Sequence, residues 1–225
     1  MTLPPPVPPR QPGRETPAPA RADAPPAASA APVPAEALHA RAMDDLRYIR
    51  ATMEGAASFT AVSGWGGAII GLTAFPAAWL AERAATHRAW MRIWLAEAVL
   101  GALIGVVMTV RKARRARQPL SGRPGRKFAL TFATPMAAGA ILTIPLYYGG
   151  LVTLLPGMWL LLYGTAFATA GAFSVSAVPV MGLSFMVVGT AALAAPAGWG
   201  NILMAAGFGA VHVVFGAVIA RKHGG

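Results

Sequence analysis

The chain has 225 residues, of which 56% are hydrophobic and 12% are charged, and its formal net charge is +11. Soluble domains carry about 25% charged residues, so this composition excludes an ordinary water-soluble globular domain. Because the chain has no cysteine, disulfides, thiolate metal sites, iron–sulfur ligation and thiol catalysis are excluded as well.

Residues 1–34 contain twelve of the twenty prolines, mixed mainly with alanine and arginine. Proline fixes φ and lacks an N–H donor, and a segment of this kind buries too little apolar surface to offset its chain entropy. We therefore expect a disordered, Pro/Ala-rich cytoplasmic tail. No continuous apolar segment precedes residue 58, so the pattern predicts no secretory signal peptide.

Residues 35–57 consist mostly of helix formers. Their apolar residues recur every three or four positions, which predicts an amphipathic juxtamembrane helix with one apolar stripe. Two interpretations of this helix are open. It lies in the headgroup layer or pairs with a partner helix or a second copy, or it is a solvated extension of the first span. The stripe is formed by Leu38, Ala42, Leu46, Ile49 and Met53.

Two apolar segments follow, at about 59–81 and 90–110. Each is close to the ~20 residues that cross the hydrocarbon core of a bilayer. Each also contains two glycines four positions apart, in the sequences GAIIG (Gly67–Gly71) and GALIG (Gly101–Gly105). Small residues at this spacing let helices approach closely, so the pattern favours a tightly packed hairpin of these two spans.

The segment Arg111–Lys127 holds eight of the nineteen lysines and arginines. Basic segments between membrane spans stay on the cytoplasmic side, where they also attract anionic headgroups. We therefore expect a cytoplasmic loop that sets the topology of the whole chain. Its basic residues are Arg111, Lys112, Arg114, Arg115, Arg117, Arg123, Arg126 and Lys127.

From Phe128 to Ala220 the chain has 93 residues without Asp, Glu, Lys or Arg. This length fits four spans separated by turn residues. The predicted spans are 128–148, 151–172, 175–195 and 200–220. With the first two spans they give an all-α membrane protein, a polytopic bundle of six transmembrane helices over residues 58–225.

Six spans predict a multi-pass protein of the cell (inner) membrane with both termini in the cytoplasm. Arg221 and Lys222 then share the side of the basic loop. Three arginines in the opposite loop weaken this bias without reversing it: Arg83, Arg88 and Arg92. Aromatic residues agree with the topology, because Trp and Tyr favour membrane interfaces. Those at predicted outer span ends are Trp79, Trp90, Trp94, Tyr147, Tyr148 and Trp199.

Two ionisable residues fall inside predicted spans, Glu97 in the second and His212 in the sixth. Desolvation of such groups is costly, so they are the candidate intramembrane polar sites. Each also has a structural interpretation. Glu97 reaches the outer headgroups or Arg92, and His212 is a neutral imidazole bonded to a carbonyl or a hydroxyl of a neighbouring span. We expect the two groups to act separately.

Motifs for catalysis are lacking in the sequence. Six spans with a histidine on the last one suggest a rhomboid-type protease, but Ser184 lacks the second glycine of a GxSG turn and lies on the fifth span. The four histidines have no metal-ligand spacing, and there is no phosphate-binding or dinucleotide-binding glycine motif. We therefore expect no catalytic residue, no metal and no cofactor.

Four stretches carry a family resemblance: FTAVSGWGG (59–67), LLPGMWLLLYG (154–164), PVMGLSFMV (179–187) and HVVFG (212–216). On them the chain resembles a set of six-span bacterial integral membrane proteins of unknown function. The resemblance covers roughly residues 45–225. It implies the same topology and brings no activity, substrate or catalytic residue with it.

Three functional hypotheses follow. The first is a non-enzymatic membrane protein with a regulatory, sensory or scaffold role, because site chemistry is lacking. The second is a small permease or channel, because glycine and proline interrupt the spans. The third is an intramembrane enzyme. The expected partners are the bilayer with its anionic headgroups and a cytoplasmic protein or a second copy. The basic charge is explained by topology, so nucleic acid is not among them.

The topology is testable with accessibility tags. Tags inserted between Ser121 and Gly125 and after Gly225 are expected to report the cytoplasm, because the basic clusters hold both positions there. Tags at Ala85 and Gly198 are expected to report the opposite side. A tag within Arg111–Lys127 that is accessible from outside the cell would contradict the whole arrangement.

Overall fold

The computed structural model describes residues 35–56, 60–117, 120 and 122–223, and within these ranges it is helical, with no β-strand. The predicted disordered tail, residues 1–34, lies outside this part of the chain. The first helix, α1 (Ala35–Ala56), corresponds to the predicted juxtamembrane helix. The chain divides within α1, between Asp45 and Leu46, into two units, and the second unit contains all the other helices.

Six helical segments are long and apolar enough to cross a membrane, which confirms the predicted all-α membrane protein. The fourth begins with a short 3₁₀ turn at Val152–Leu154, and the sixth runs continuously over Gly200–His223. The helices are α2 (Gly64–Glu82), α3 (His87–Arg115), α4 (Arg123–Tyr148), α5 (Leu155–Gly171), α6 (Ala177–Ala194), α7 (Gly200–Met204), a π-helical segment (Ala205–Val211) and α8 (His212–His223).

Local sequence explains several helix ends. The side chains of Ser63 and Thr86 cap the starts of α2 and α3 by accepting a hydrogen bond from a backbone N–H of the first turn. Helix α3 continues to Arg115, beyond the predicted end at residue 110. Its last turn is basic, and positive charge there complements the helix dipole.

The predicted basic loop is therefore largely helical. Its first four basic residues lie in α3 and its last three lie in the opening turns of α4. Arg117, between the two helices, has a φ of 52°. Positive charge at the start of α4 opposes the helix dipole, so these residues are placed there at a cost to the helix. Basic residues at the start of α4 are nevertheless expected from the positive-inside rule, because this span begins on the basic side of the bundle.

Side chains of α1 are exposed wherever the structure describes them, and they include Leu46 and Ile49 of the predicted apolar stripe. The side chains of Leu38 and Met53 lie outside the described part of the chain. The described residues of the stripe are therefore exposed, and whether the stripe meets lipid, a partner helix or a second copy remains a prediction.

Glycines bring α2 and α8 into backbone contact. A methyl group added at Gly71 would lie 2.5 Å from the carbonyl oxygen of Gly209 and 2.8 Å from the amide nitrogen of Val213. Gly216 approaches α2 as closely, since a methyl group there would lie 2.5 Å from the nitrogen of Ala68. Helices α2 and α3 do pack along each other, as the predicted hairpin requires, but Gly71 faces the last span, and Gly101 and Gly105 of α3 face the side chain of Ile70.

Helices α5 and α6 form a second pair with close backbone contact. A methyl group at Gly164 would lie 2.7 Å from the carbonyl oxygen of Gly182, and one at Gly189 would lie 2.7 Å from the nitrogen of Leu161. Lipid tails are as apolar as leucine, so helices in a bilayer associate mainly through this kind of close packing. Together the two pairs make the compact centre of the bundle.

The two ends of the bundle differ in composition. At one end, called the basic end, Lys112 Nζ donates hydrogen bonds to the carbonyl oxygens of Val62 and His223. The start of the first span and the end of the last span therefore lie at the same end, as an even number of spans requires. Lys127 lies over the ring of Phe173 at this end as well, 5.6 Å from its centroid.

The packing at Gly71 is testable by substitution. Gly71→Ala is expected to lower the free energy of unfolding by about 1–3 kcal/mol, because the new methyl group overlaps backbone atoms that move only with α8. Gly101→Ala is the matched control, since its methyl group would lie 3.4 Å from the side chain of Ile70, in ordinary contact. SDS-induced unfolding in mixed micelles measures both. Equal losses for the two variants would contradict the packing described.

Candidate functional site

A groove of about 780 Å³ lies between α3 and α4. Helix α3 packs along α2, and α4 packs along α5, but α3 and α4 make no extensive contact with each other. Two apolar clusters bring them together at their ends. One contains Met91 and Leu146, and the other, at the basic end, contains Ala113 and Phe128. The groove between these clusters is a lateral window in the wall of the bundle.

The walls of this window are apolar and made largely of small residues. Ala98 and Ala102 on α3 and Ala129 and Ala140 on α4 line the groove and are exposed at its mouth. The floor is made by α5, α8 and the π-helical segment, which contribute larger aromatic side chains such as Tyr163 and Phe208. Both predicted intramembrane polar residues, Glu97 and His212, line the same groove.

His212 is held by two hydrogen bonds and is 1% exposed. Its Nδ1 donates to the carbonyl oxygen of Phe208, one turn earlier, at 2.9 Å, and its Nε2 lies 2.8 Å from the hydroxyl of Tyr163 on α5. A carbonyl oxygen only accepts, so Nδ1 carries a hydrogen, and a neutral ring accepts from Tyr163 at Nε2. These contacts match the structural interpretation of His212 as an imidazole bonded to a carbonyl and a hydroxyl.

Aromatic rings surround this pair. The His212 ring centroid lies 5.0 Å from that of Phe185, 6.3 Å from that of Phe167 and 6.3 Å from that of Phe208. Tyr163 contacts the same three rings with centroid distances of 4.9 to 5.1 Å. Offset and edge-to-face contacts of this kind stabilise ring positions, so the floor of the groove is rigid.

Glu97 projects from α3 toward α2. The hydroxyl of Thr73 donates to Glu97 Oε1 at 2.8 Å and also lies 2.8 Å from the carbonyl oxygen of Ile70. The hydrogen-bond partner of Glu97 is therefore Thr73 on the neighbouring span α2. One interpretation of the sequence had paired Glu97 with Arg92 instead. Glu97 is partly exposed and is one of the residues that line the groove.

Asn201 organises the end of the bundle opposite the basic end. Its Oδ1 accepts hydrogen bonds from the indole nitrogens of Trp90, at 2.8 Å, and Trp94, at 3.2 Å, and its Nδ2 donates to Glu82. Trp94 is 3% exposed. The sequence places Trp90 and Trp94 at the membrane interface. Their indole nitrogens are bonded within the protein, because the partly buried amide of Asn201 supplies the acceptor that water would otherwise supply.

Trp159 completes this end of the groove. Its ring stacks on that of Trp90 with centroids 5.5 Å apart, and its indole nitrogen donates to the hydroxyl of Thr143 on α4. The N–H groups of three tryptophans are thus bonded within the protein, which leaves their ring faces to line the groove or pack in the core. The sequence did not indicate three polar residues of this region, because uncharged polar residues are common in membrane spans and no pattern distinguishes those that form bonds between helices. These residues are Asn201, Thr73 and Tyr163.

The other residues considered for chemistry lie apart from the groove. The Ser184 hydroxyl donates to the carbonyl oxygen of Val180 in its own helix. Among the described residues no group of three or more His, Asp or Glu side chains is placed to hold a metal ion. The basic residues at the ends of α3 and α4 do not line the groove.

Comparison with known proteins adds no relative. No protein-family model matches the chain, and neither a curated protein nor a solved structure shows significant similarity to it. The geometry of the groove is therefore the basis for any statement about function.

The contacts of His212 predict which residues are energetically coupled. In a double-mutant cycle, Tyr163→Phe and His212→Asn are expected to couple by about 1 kcal/mol in the free energy of unfolding, because they share a hydrogen bond. Glu97→Gln and His212→Asn are expected to be additive within about 0.5 kcal/mol, because their hydrogen-bond partners differ.

SDS unfolding of the single and double variants measures both cycles. The Glu97 cycle serves as the control, since both residues line the same groove without sharing a partner. Coupling in the Glu97 cycle that equals or exceeds coupling in the Tyr163 cycle would show that the two ionisable residues act as one unit.

Proposed function

We propose that this chain is a non-enzymatic, multi-pass membrane protein that binds a lipophilic small molecule from the bilayer in the groove between α3 and α4. The observation that carries the proposal is the lateral window. An apolar groove of about 780 Å³ falls within the range of small-molecule sites, which is roughly 300–1,000 Å³. Its mouth lies in the wall of the bundle, so an entering molecule comes from the lipid.

The state of the polar groups supports binding over catalysis. A nucleophile is activated by a base within hydrogen-bond reach of it, and His212 and Ser184 are not paired in this way. The His212 ring has both nitrogens engaged, and the Ser184 hydroxyl is bonded to its own helix. Residues held in this way define the shape of a site and the orientation of a bound molecule.

In a regulatory or sensory role, binding of a ligand in the groove would change the cytoplasmic surface of the protein. In the proposed topology the basic end faces the cytoplasm. The exposed apolar residues Leu46 and Ile49 of α1 suit a partner helix or lipid headgroups. The cluster around Ala113 and Phe128 closes the groove next to the basic residues. A molecule that spreads α3 and α4 would therefore move the basic end, which is a route from ligand to partner.

One observation favours a permease as the second candidate. The last span contains a seven-residue π-helical segment directly before His212, and such segments are frequent at functional sites. A permease would use that segment as the point where the span bends. Solute flux in proteoliposomes separates this candidate from a binding protein.

Occupation of the groove is testable with a neutral, photoactivatable aryl diazirine and mass spectrometry of the labelled peptides. The wild-type protein is expected to be labelled on the groove floor, near Tyr163 and Phe208. Ala102→Trp is expected to reduce this labelling at least five-fold, because the new indole fills the groove. Leu103→Trp is the control, since Leu103 is the next residue on α3 but is exposed away from the groove.

Floor labelling that is equal in the two variants, or absent in the wild-type protein, would contradict the proposal. Thermal unfolding of both variants provides the check on folding. Each adds an indole at an exposed position of the same helix, so each is expected to unfold within a few degrees of the wild-type protein.

A further inference from the structure

The groove has one formally charged side chain. Among the residues that line it, Glu97 is the sole Asp, Glu, Lys or Arg, and His212 is buried behind Tyr163 with its ring nitrogens bonded. The groove is otherwise apolar and aromatic. A ligand that enters it therefore meets one carboxyl group and no positive side chain.

The Glu97 carboxylate has free hydrogen-bonding capacity toward the groove. Thr73 donates to Oε1, and the described residues make no hydrogen bond to Oε2, while no buried side-chain oxygen or nitrogen among them lacks a partner. Oε2 is therefore not fully buried, and Glu97 is one of the residues that line the groove. A carboxylate accepts at both oxygens, so Oε2 is free to accept from a ligand or to face its positive charge.

A carboxylate in a membrane span is costly unless a cation or a hydrogen-bond donor compensates it. In this groove the protein supplies one hydroxyl and no cation. The basic residues of α3 and α4 lie beyond the cluster that closes the basic end and do not line the groove. Without a cation the carboxyl group is favoured in its protonated form, whereas a cation that enters the groove favours the ionised form. A positively charged ligand is therefore the complement of the ionised site.

The aromatic residues around the carboxylate fit the same kind of ligand. Trp94 lies one turn before Glu97 on α3, and Trp159 and Tyr163 line the groove from α5. Trp94 is 3% exposed, so the aromatic surface open to a ligand comes mainly from Trp159 and Tyr163, which are partly exposed. Ring faces attract cations, and their apolar area suits the organic groups that carry the charge.

We propose that the ligand of the groove is a lipophilic organic cation, such as a substituted ammonium or phosphonium ion, with its positive charge against Glu97 Oε2 and its apolar groups against the aromatic floor. This inference rests on the proposed function, because it names the chemical class of the molecule that the groove takes. Neutral lipophiles enter the groove more weakly, and lipophilic anions are repelled by the carboxylate.

Two ions of the same shape and opposite charge test the proposal. Binding of tetraphenylphosphonium and of tetraphenylborate is measured by equilibrium dialysis against the protein in an uncharged maltoside detergent. Binding to protein-free micelles is measured in the same way and subtracted. The wild-type protein is expected to bind tetraphenylphosphonium at least ten-fold more tightly than tetraphenylborate. Equal affinities, or tighter binding of the anion, overturn the proposal without any variant.

The substitution Glu97→Gln tests whether the preference for the cation over the anion depends on Glu97. This variant is expected to lose at least ten-fold in tetraphenylphosphonium affinity and to keep floor labelling by the neutral diazirine, which shows that the groove is intact. Glu36→Gln removes the same charge from an exposed position on α1 and is expected to change the affinity less than two-fold. Thr73→Val keeps the carboxylate, removes its protein partner and is expected to retain cation binding.

The two proposals fail in different ways. If the neutral probe labels the floor but Glu97→Gln binds the cation as the wild-type protein does, the assignment to Glu97 is wrong and the groove remains a lipophile site. If the neutral probe does not label the floor of the wild-type protein, the proposed function itself is wrong.

Discussion

Close backbone contact at glycines is the interaction on which the rest of this structure depends. Hydrophobic burial drives helices together in water but not in lipid, so a membrane bundle is held by the surfaces that pack most closely. Here those surfaces join α2 to α8 and α5 to α6. Helices α3 and α4 each pack along one neighbour, α2 and α5 respectively, and make no extensive contact with each other. The groove is the space that this unequal packing leaves between them.

The polar residues of the spans form most of their hydrogen bonds within the protein. A bilayer core has no water to serve as a partner, so each polar group is bonded within the protein or is costly. The bonds of Asn201 to two tryptophans and of Tyr163 to His212 cross from one helix to another and fix side-chain positions. Glu97 differs from them because its partner uses one oxygen only. A group that the fold leaves half-satisfied is where a ligand contributes most.

The sequence predicted the number, order and approximate limits of the spans, because charge and apolar length decide where a helix enters and leaves a membrane. It also indicated Glu97 and His212, because an ionisable side chain stands out in an apolar segment. It did not predict that these residues line one groove. That depends on how each helix is rotated about its axis, and the apolar residues surround these helices so evenly that no face is distinguished.

The same limit explains why the sequence did not identify the last span as the partner of Gly71, or Asn201 as the hydrogen-bond acceptor of Trp94. A small residue shows that a helix can approach closely, without showing which helix does so. A tryptophan near a span end fits the interface and a buried acceptor equally well. The acceptor here is Asn201, more than a hundred residues later in the chain, so only the folded bundle brings the two together.

A lateral window changes the quantity that governs occupancy. A molecule that reaches the groove through lipid is present there at its concentration in the membrane, not in the surrounding water. A thousand-fold partition into the bilayer corresponds to about 4 kcal/mol, a free energy gained before any contact with the protein. Weak intrinsic affinity is then enough to fill the groove at low aqueous concentration. Two molecules with identical contacts in the groove would still differ in apparent potency by the ratio of their partition coefficients.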